Sequence, residues 1–377
     1  MKKLSLYTLL IAMLGFNACD VLNPNITSDV YVGNTGATVS WVNGLRRQLA
    51  LTMNQVVVNT ELVSDNYFNN RTQSSKVFDI PQIDYFDLDV NNTQIRIQTL
   101  RSMAEYGLST VLPNDKSTTA IDSAEVYFSL AYAHLLSGEL FVGLPGSDKG
   151  PVLTPAEHLN LALKNLDKAI ELQVNDSDEE KAYILLKARA YYSLGDAANA
   201  AKYAQEAMMS SNSLLRQVKY DGINSVTNDM QTYLFSSTNN EFAPLPRLDY
   251  LDPKYYHIGL ASSDQKPVTI VKAEEAWLIL AETQISANTM DAGRQTLKDL
   301  LTVVAARSTV QLDDSKETRN GGNRTDYPLT TVQVKFDEAD SLRNGYVLNR
   351  KSGPIKAYTV SGTKVTAAEL DAATTQD

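Results

Sequence analysis

The sequence predicts an all-α dominated fold, a stack of helix pairs from which long irregular loops are extruded. Two observations carry that expectation. Small residues recur at fixed spacing from residue 188 to residue 207, where Ala188, Tyr191, Gly195, Ala200, Ala204 and Ala207 follow A-x2-Y-x3-G-x4-A-x3-A-x2-A. Small side chains let two antiparallel helices approach closely, a glycine supplies the left-handed residue of the turn between them, and the tyrosine fills the seam. Elsewhere, apolar residues recur every three or four positions in segments separated by stretches rich in Gly, Pro, Asn and Ser, the pattern of amphipathic helices joined by long connections.

The spacing from Ala188 to Ala207 is that of a tetratricopeptide helix pair. One such pair cannot bury its own apolar face, so neighbours of the same design are expected on either side. With 377 residues and 43% apolar content, the chain can build a large core. A net charge of -10 and a pI near 4.9 argue against a nucleic-acid partner, because no Lys/Arg cluster offers the counterion release that phosphate binding requires.

Taken from the front, residues 1–18 read as an export signal: Lys2 and Lys3, an uncharged apolar run from Leu4 to Phe16, then Asn17 and Ala18. The run is too short to span a bilayer. Cys19, the one cysteine in the sequence, stands where a bacterial signal peptidase would leave a new, acylated N-terminus. Phe16 and Asn17 replace the leucine and small residue more usual at such a site. Lipidation at Cys19 would anchor the chain to a membrane without spanning it. Residues 19–35, including the polar DVLNPNITSD, are expected to form a flexible tether, leaving 36–377 as a single domain.

Within that domain, Val39, Val42, Leu45, Leu49 and Met53 predict a first helix over about 36–60, and Ile97, Leu100, Ala104 and Leu108 a second over about 93–112. The connection between them is far longer than packed helices need, and loops of that length tend to carry function. Tyr127, Leu130, Ala131, His134 and Gly138 then begin a second pair, completed by Ala162, Leu166 and Ala169. Their turn is replaced by GELFVGLPGSDKGPVLTP, in which Thr154-Pro155 reads as a cap and first helical residue. The third pair is the one described above. A fourth follows W-x2-L-A-x2-Q-x3-N-x4-G-x3-L-x2-L from Trp277 to Leu300, with Asn288 at the left-handed turn position. Residues 213–268 read as a loop-rich insertion, and beyond Arg307 the sequence is polar with short β-prone runs at Thr330–Phe336 and Ala357–Val360 and no assignable core.

The order of these features resembles the SusD/RagB family of outer-membrane nutrient-binding lipoproteins from gut and oral bacteria of the Bacteroides type. The resemblance covers about residues 19–307. It rests on Cys19, the long loop after the first helix, SLAYAHLLSGELFVGLP, KARAYYSLGDAANAAKYAQEAM and VKAEEAWLILAETQISANTMDAGRQTLKDLLTVVAAR. It implies a scaffold of about four tetratricopeptide-like pairs, a place at the cell exterior on the outer membrane, and binding rather than chemistry. The implied ligands are oligosaccharides, or sometimes peptides, delivered to a SusC-like TonB-dependent transporter. Members usually continue into a helix bearing an ER-x2-EL-like motif, which is not found before Asp377, so the C-terminal part is expected to be short.

Sugar recognition needs flat aromatic faces for pyranose rings and amide, carboxylate and guanidinium groups for hydroxyls. Residues 65–71, DNYFNNR, supply both, and their place matches a family region that often contributes ligand contacts. The candidate binding residues are Asp65, Asn66, Tyr67, Asn70 and Arg71, with Tyr85 and Phe86 nearby. Tyr67 and Phe68 could equally pin the loop to the scaffold while the polar residues satisfy its backbone. Tyr250, Tyr255 and Tyr256 form a second aromatic group, for which packing is the alternative. Trp41, Tyr191, Trp277 and His134 read as core.

No HExxH, GxSxG, P-loop or GxGxxG occurs, and the three histidines, His134, His158 and His257, are scattered, so no catalytic residue is assigned and the protein is read as a non-enzyme. No cofactor is expected. Asp87 to Asn91 begins like a calcium loop, but Asn92 and Gln98 stand where an EF-hand needs Gly and Glu; a solvated acidic loop is the expectation, with a structural calcium open. Two other functions remain open: a helical glycoside hydrolase using a carboxylate pair, and a tetratricopeptide scaffold that binds a peptide in its groove.

Overall fold

A computed structural model describes residues 31–64, 67–69, 83–84, 86–174, 177–210, 212–223, 226–235, 242–244, 252–255 and 263–307, with strands at 309–313, 333–334, 343–344 and 354–358. The scaffold is four helix pairs in chain order. Helix α1 (Ala37–Val63) buries Val42, Leu45, Leu49 and Met53 as the spacing predicts, whereas Val39, in its first turn, is exposed. Its N-terminus has no cap of its own: Gly36 turns the chain at φ 87° and its N–H donates to Ser117 Oγ, while the Thr38 N–H donates to Asp115 Oδ2 at 2.9 Å. Asp115 also accepts from the hydroxyl and N–H of Ser117. The Ser117 hydroxyl, then these backbone donors, hold its carboxyl well below the ordinary carboxylate range.

Strand β1 (Tyr67–Asn69) follows α1, and helix α2 (Leu88–Tyr106) returns along it. Here the structure corrects the sequence reading in two ways. The helix begins five residues before Thr93, and Asp87 to Asn91 is a helix start, not a loop. The Asp87 Oδ1 accepts the N–H groups of Asp89 and Val90 at 2.9 Å, a cap that satisfies two of the donors a helix N-terminus leaves over. At its other end α2 passes through a π turn, Gly107–Val111, into a last helical turn, Leu112–Asn114. A Cβ on Gly107 would lie 2.8 Å from Trp41 Nε1, so the glycine lets the indole lie across the turn.

Helix α3 (Ala120–Leu140) is joined to α4 (Pro155–Leu172) through a hairpin of β2 (Leu144–Pro145) and β3 (Val152–Leu153). Thr154 caps α4 in a reciprocal box with Glu157, and Pro155 is its first helical residue. Gly138 is the contact point of this pair. A Cβ there would meet Leu159 Cγ at 2.8 Å and the Pro155 carbonyl at 2.9 Å.

The third pair is α5 (Asp178–Ser193) and α6 (Ala197–Ser210). Gly195 takes φ 76° between them; Ala188, Ala200, Ala204 and Ala207 are buried, and Tyr191 stacks on Tyr203 with ring planes 3° apart.

Strand β4 (Leu215–Val218) then leads into helix α7 (Asp229–Phe235), strand β5 (Phe242–Pro244) and the short α8 (Asp252–Tyr255). Strand β6 (Val268–Lys272) pairs antiparallel with β4 and runs directly into the fourth pair, α9 (Ala273–Ser286) and α10 (Met290–Ala305). Asn288 takes φ 60° at their turn. One apolar core runs through the first three pairs and into α9 of the fourth. In the tail, β7 (Thr309–Asp313) pairs with β10 (Pro354–Tyr358), and β8 (Gln333–Val334) with β9 (Arg343–Asn344). Among the described residues, no helix is long and apolar enough to cross a membrane.

Candidate ligand-binding surface

Helix α1 ends at Val63, where the chain enters the loop that the sequence singles out. Strand β1 pairs antiparallel with β5, Tyr67 opposite Pro244, Phe68 opposite Ala243 and Asn69 opposite Phe242. The two insertions flagged for aromatic content, which lie far apart in sequence, are thereby hydrogen-bonded to each other. Of the candidate residues, Tyr67 is described through this backbone pairing alone; Asp65, Asn66, Asn70, Arg71 and Tyr85 lie outside the described residues, as do Cys19, Tyr250, Tyr256 and His257. Phe86, where the loop returns to α2, is 66% exposed.

The buried face of α1 carries polar residues that fix the second insertion in place. Glu61 accepts from the Tyr255 hydroxyl at 2.6 Å and from Lys254 Nζ at 2.5 Å, so both residues at the end of α8 are held against the last turn of α1. Tyr255 is 3% exposed, which assigns it to packing; the alternative weighed for this tyrosine is the one realised. One turn pair earlier, Asn54 donates to the Thr227 carbonyl at 2.8 Å and accepts from the Asp229 N–H, anchoring the start of α7. Asn228 and Gln231 in turn hold the backbone of residues 264–266. Burial raises the Asp229 carboxyl and lowers the Lys266 ammonium. These bonds satisfy polar groups that would otherwise be costly inside the fold, and they give the irregular segments a rigid base.

A second surface lies between the first helices of successive pairs, α3, α5 and α9. Arg189 donates through Nε and Nη2 to Glu139 at 2.7 and 2.6 Å and stands 3.8 Å from Glu275. Tyr192 donates to Glu282 at 3.0 Å. Burial raises the Glu275 carboxyl and pushes the Tyr132 hydroxyl beneath it up to about 12. The space is small, ≈ 270 Å³, and its polar groups are largely spent on each other.

Two of the three histidines meet in the fold. His134 and His158, 24 residues apart, meet with Nδ1 to Nδ1 at 3.0 Å inside the second pair, and His158 Nε2 bonds the Leu144 carbonyl of β2. Because a carbonyl oxygen only accepts, His158 Nε2 is the donor in that bond. His134 is core, as expected, and burial, with His158 and Arg101 nearby, lowers its pKa to about 3. Among the described residues, no group of three or more His, Cys, Asp or Glu is placed to hold a metal ion. Trp41, read as core, is half-buried and donates its Nε1 hydrogen to the Met103 carbonyl at 3.0 Å. Trp277 is likewise half-buried.

No protein-family model matches this sequence, and no curated protein matches it. Solved structures do match its fold. A SusD-like carbohydrate binding protein from Bacteroides vulgatus ATCC 8482 superposes with a TM-score of 0.54 at 14% identity, over 72% of this chain and 75% of that one. A SusD superfamily protein from the same strain gives 0.50 at 11% identity, over 71% and 79%. A SusD-like protein from Bacteroides fragilis NCTC 9343 gives 0.50 at 11%, over 73% and 80%. At such identities the likeness speaks for the fold alone, and the fold of this chain, four tetratricopeptide-like pairs with long insertions, is that of the SusD-like proteins.

Proposed function

We propose that this chain is a non-enzymatic, cell-surface glycan-binding lipoprotein that takes up oligosaccharides and hands them to a SusC-like TonB-dependent transporter. The observation that carries the reading is the β1–β5 pairing. It joins two aromatic-rich insertions at one end of a helical scaffold whose fold is shared with a SusD-like carbohydrate binding protein. A scaffold that spends buried Asn54, Glu61 and Tyr255 on anchoring irregular segments is suited to presenting loops. Stacking faces and polar side chains in DNYFNNR fit pyranose rings. Lipidation at Cys19, after removal of residues 1–18, would hold the domain on the outer membrane facing the exterior.

The test is a screen of the purified mature chain against polysaccharide fragments and peptides, following both retention and product release. Retention of a glycan without cleavage supports the reading. Product release would favour a helical glycoside hydrolase, and retention of peptides alone would favour a tetratricopeptide scaffold.

A further inference from the structure

Away from the aromatic loop, Trp41 of α1, the second half of α2 and the β2–β3 hairpin border an open cleft of ≈ 520 Å³. It is a different place from the surface above: Trp41 and Val63 are 22 residues apart on one helix, or about 33 Å at 1.5 Å per residue. We propose that this cleft is a second saccharide site, in which a neutral sugar ring stacks on Tyr106 and Trp41 and is bonded by Gln98 and the hairpin. The choice of saccharide rests on the glycan-binding reading of the protein; the site itself rests on its own geometry.

The platform is built. Tyr106 is 37% exposed and lies against Trp41, ring centroids 5.2 Å apart and planes at 40°. The indole is fixed by its bond to the Met103 carbonyl and by the space that Gly107 leaves for it. That glycine opens the π turn, a helix defect that recurs at functional sites. Two side chains then oriented by packing present an aromatic face without further loss of freedom on binding.

A donor waits beside the platform. Gln98 lines the cleft, and its Oε1 accepts from Arg101 Nε at 2.7 Å. Because that guanidinium nitrogen can only donate, the amide orientation is settled and the other end of the amide is Nε2. Gln98 Nε2 is buried and has no acceptor among the described residues. A sugar hydroxyl would supply one. Opposite, the hairpin contributes Ser147, Asp148 and Lys149, with Lys149 held at φ 56°, a left-handed conformation that glycine would take with less strain. Charges on the walls balance, Arg101 against Glu105 and Lys149 next to Asp148, which suits a neutral ligand. The cleft's volume falls in the ~300–1,000 Å³ range of small-molecule sites.

Only two tryptophans occur in the sequence, so Trp277→Phe leaves Trp41 as the single indole reporter. Titrating that variant of the mature chain with the monosaccharides and disaccharides that make up any retained glycan should change Trp41 emission saturably. Adding Tyr106→Ala should raise the midpoint about tenfold, and Gln98→Leu, which removes the amide but keeps the shape, should also weaken it, with unchanged thermal midpoints excluding a folding defect. Glycan retention that survives Tyr106→Ala at unchanged affinity, with Trp41 emission unmoved, would overturn this site and leave the proposed function standing. Failure of every saccharide to bind would remove both.

Discussion

Replacing Gly138 by alanine should loosen the second helix pair, although alanine is the better helix former. In an open helix interior, Gly→Ala stabilises by about 0.5–1 kcal/mol. At Gly138 the new methyl would stand 2.8 Å from Leu159 Cγ and 2.9 Å from the backbone oxygen of Pro155. Leu159 is buried in the core with little room to give, and the carbonyl at the first residue of α4 moves only with its helix. Overpacking of that kind costs about 1–3 kcal/mol, so the net effect is a loss of about 1–2 kcal/mol, or roughly 1–3 °C in Tm for a domain of this size. Gly44 in α1 is the matched control. Its nearest contact for a Cβ is Met103 Cε at 3.8 Å, ordinary van der Waals distance, so Gly44→Ala should gain about 0.5–1 kcal/mol. Far-UV circular dichroism during thermal and urea unfolding reads both. Stabilisation by both variants would show that α3 and α4 do not meet at Gly138 as closely as the scaffold requires.

Four further outcomes are expected. Glu125 is buried between Arg216, 2.9 Å away and stacked at 3.8 Å over Phe128, and Arg46. Burial pushes its carboxyl up, but the two guanidinium groups outweigh that and hold it below the ordinary range. Glu125→Ala should cost about 2–3 kcal/mol in urea denaturation, because Arg216 keeps Glu179 as a partner and is not fully stranded. For His134, the folded pKa of about 3 lies below the ordinary 6.5, so the unfolded chain binds the extra proton first. Its contribution to stability is complete above pH 6.5 and falls by roughly 3–5 kcal/mol on descending to pH 3; His134→Gln should flatten that part of a stability–pH curve. Gly195→Ala, at φ 76°, should lower stability by about 1–2 kcal/mol, measured by the same unfolding. Cys19→Ser should move the protein from the membrane fraction to the soluble fraction of expressing cells, with retention in the membrane speaking against a lipid anchor.

The repeat scaffold was legible because its signals are local. Ala188, Gly195, Ala200 and Ala204 sit within one hairpin, and the small side chains that permit close packing are themselves the motif. Asn288 and Thr154-Pro155 were legible for the same reason, each residue type answering a backbone demand at its own position. The start of α2 was not. Periodicity reports burial, and the first turn carries Leu88 at 73% exposure with Asp87 and Asp89 around it, so a helix made by its cap looked like an acidic loop. The pairing of Tyr67 with Pro244 and the meeting of His134 with His158 are invisible in sequence, since backbone pairing and seam contacts between distant segments leave no spacing to read. Trp41 and Tyr106 are separated by 65 positions, and only packing of α1 on α2 across Gly107 makes them one surface.

The account turns on whether the loop after α1 touches the sugar. Isothermal titration of a retained glycan against the mature chain, its Tyr67→Ala and Arg71→Ala variants, and a Leu278→Ala variant on the exposed α9 face decides it. Each loop substitution should weaken binding about tenfold or more without changing Tm, and Leu278→Ala should leave it alone. Full affinity in both loop variants, with binding lost in Leu278→Ala, would place the ligand in the groove between the helix pairs and contradict the account.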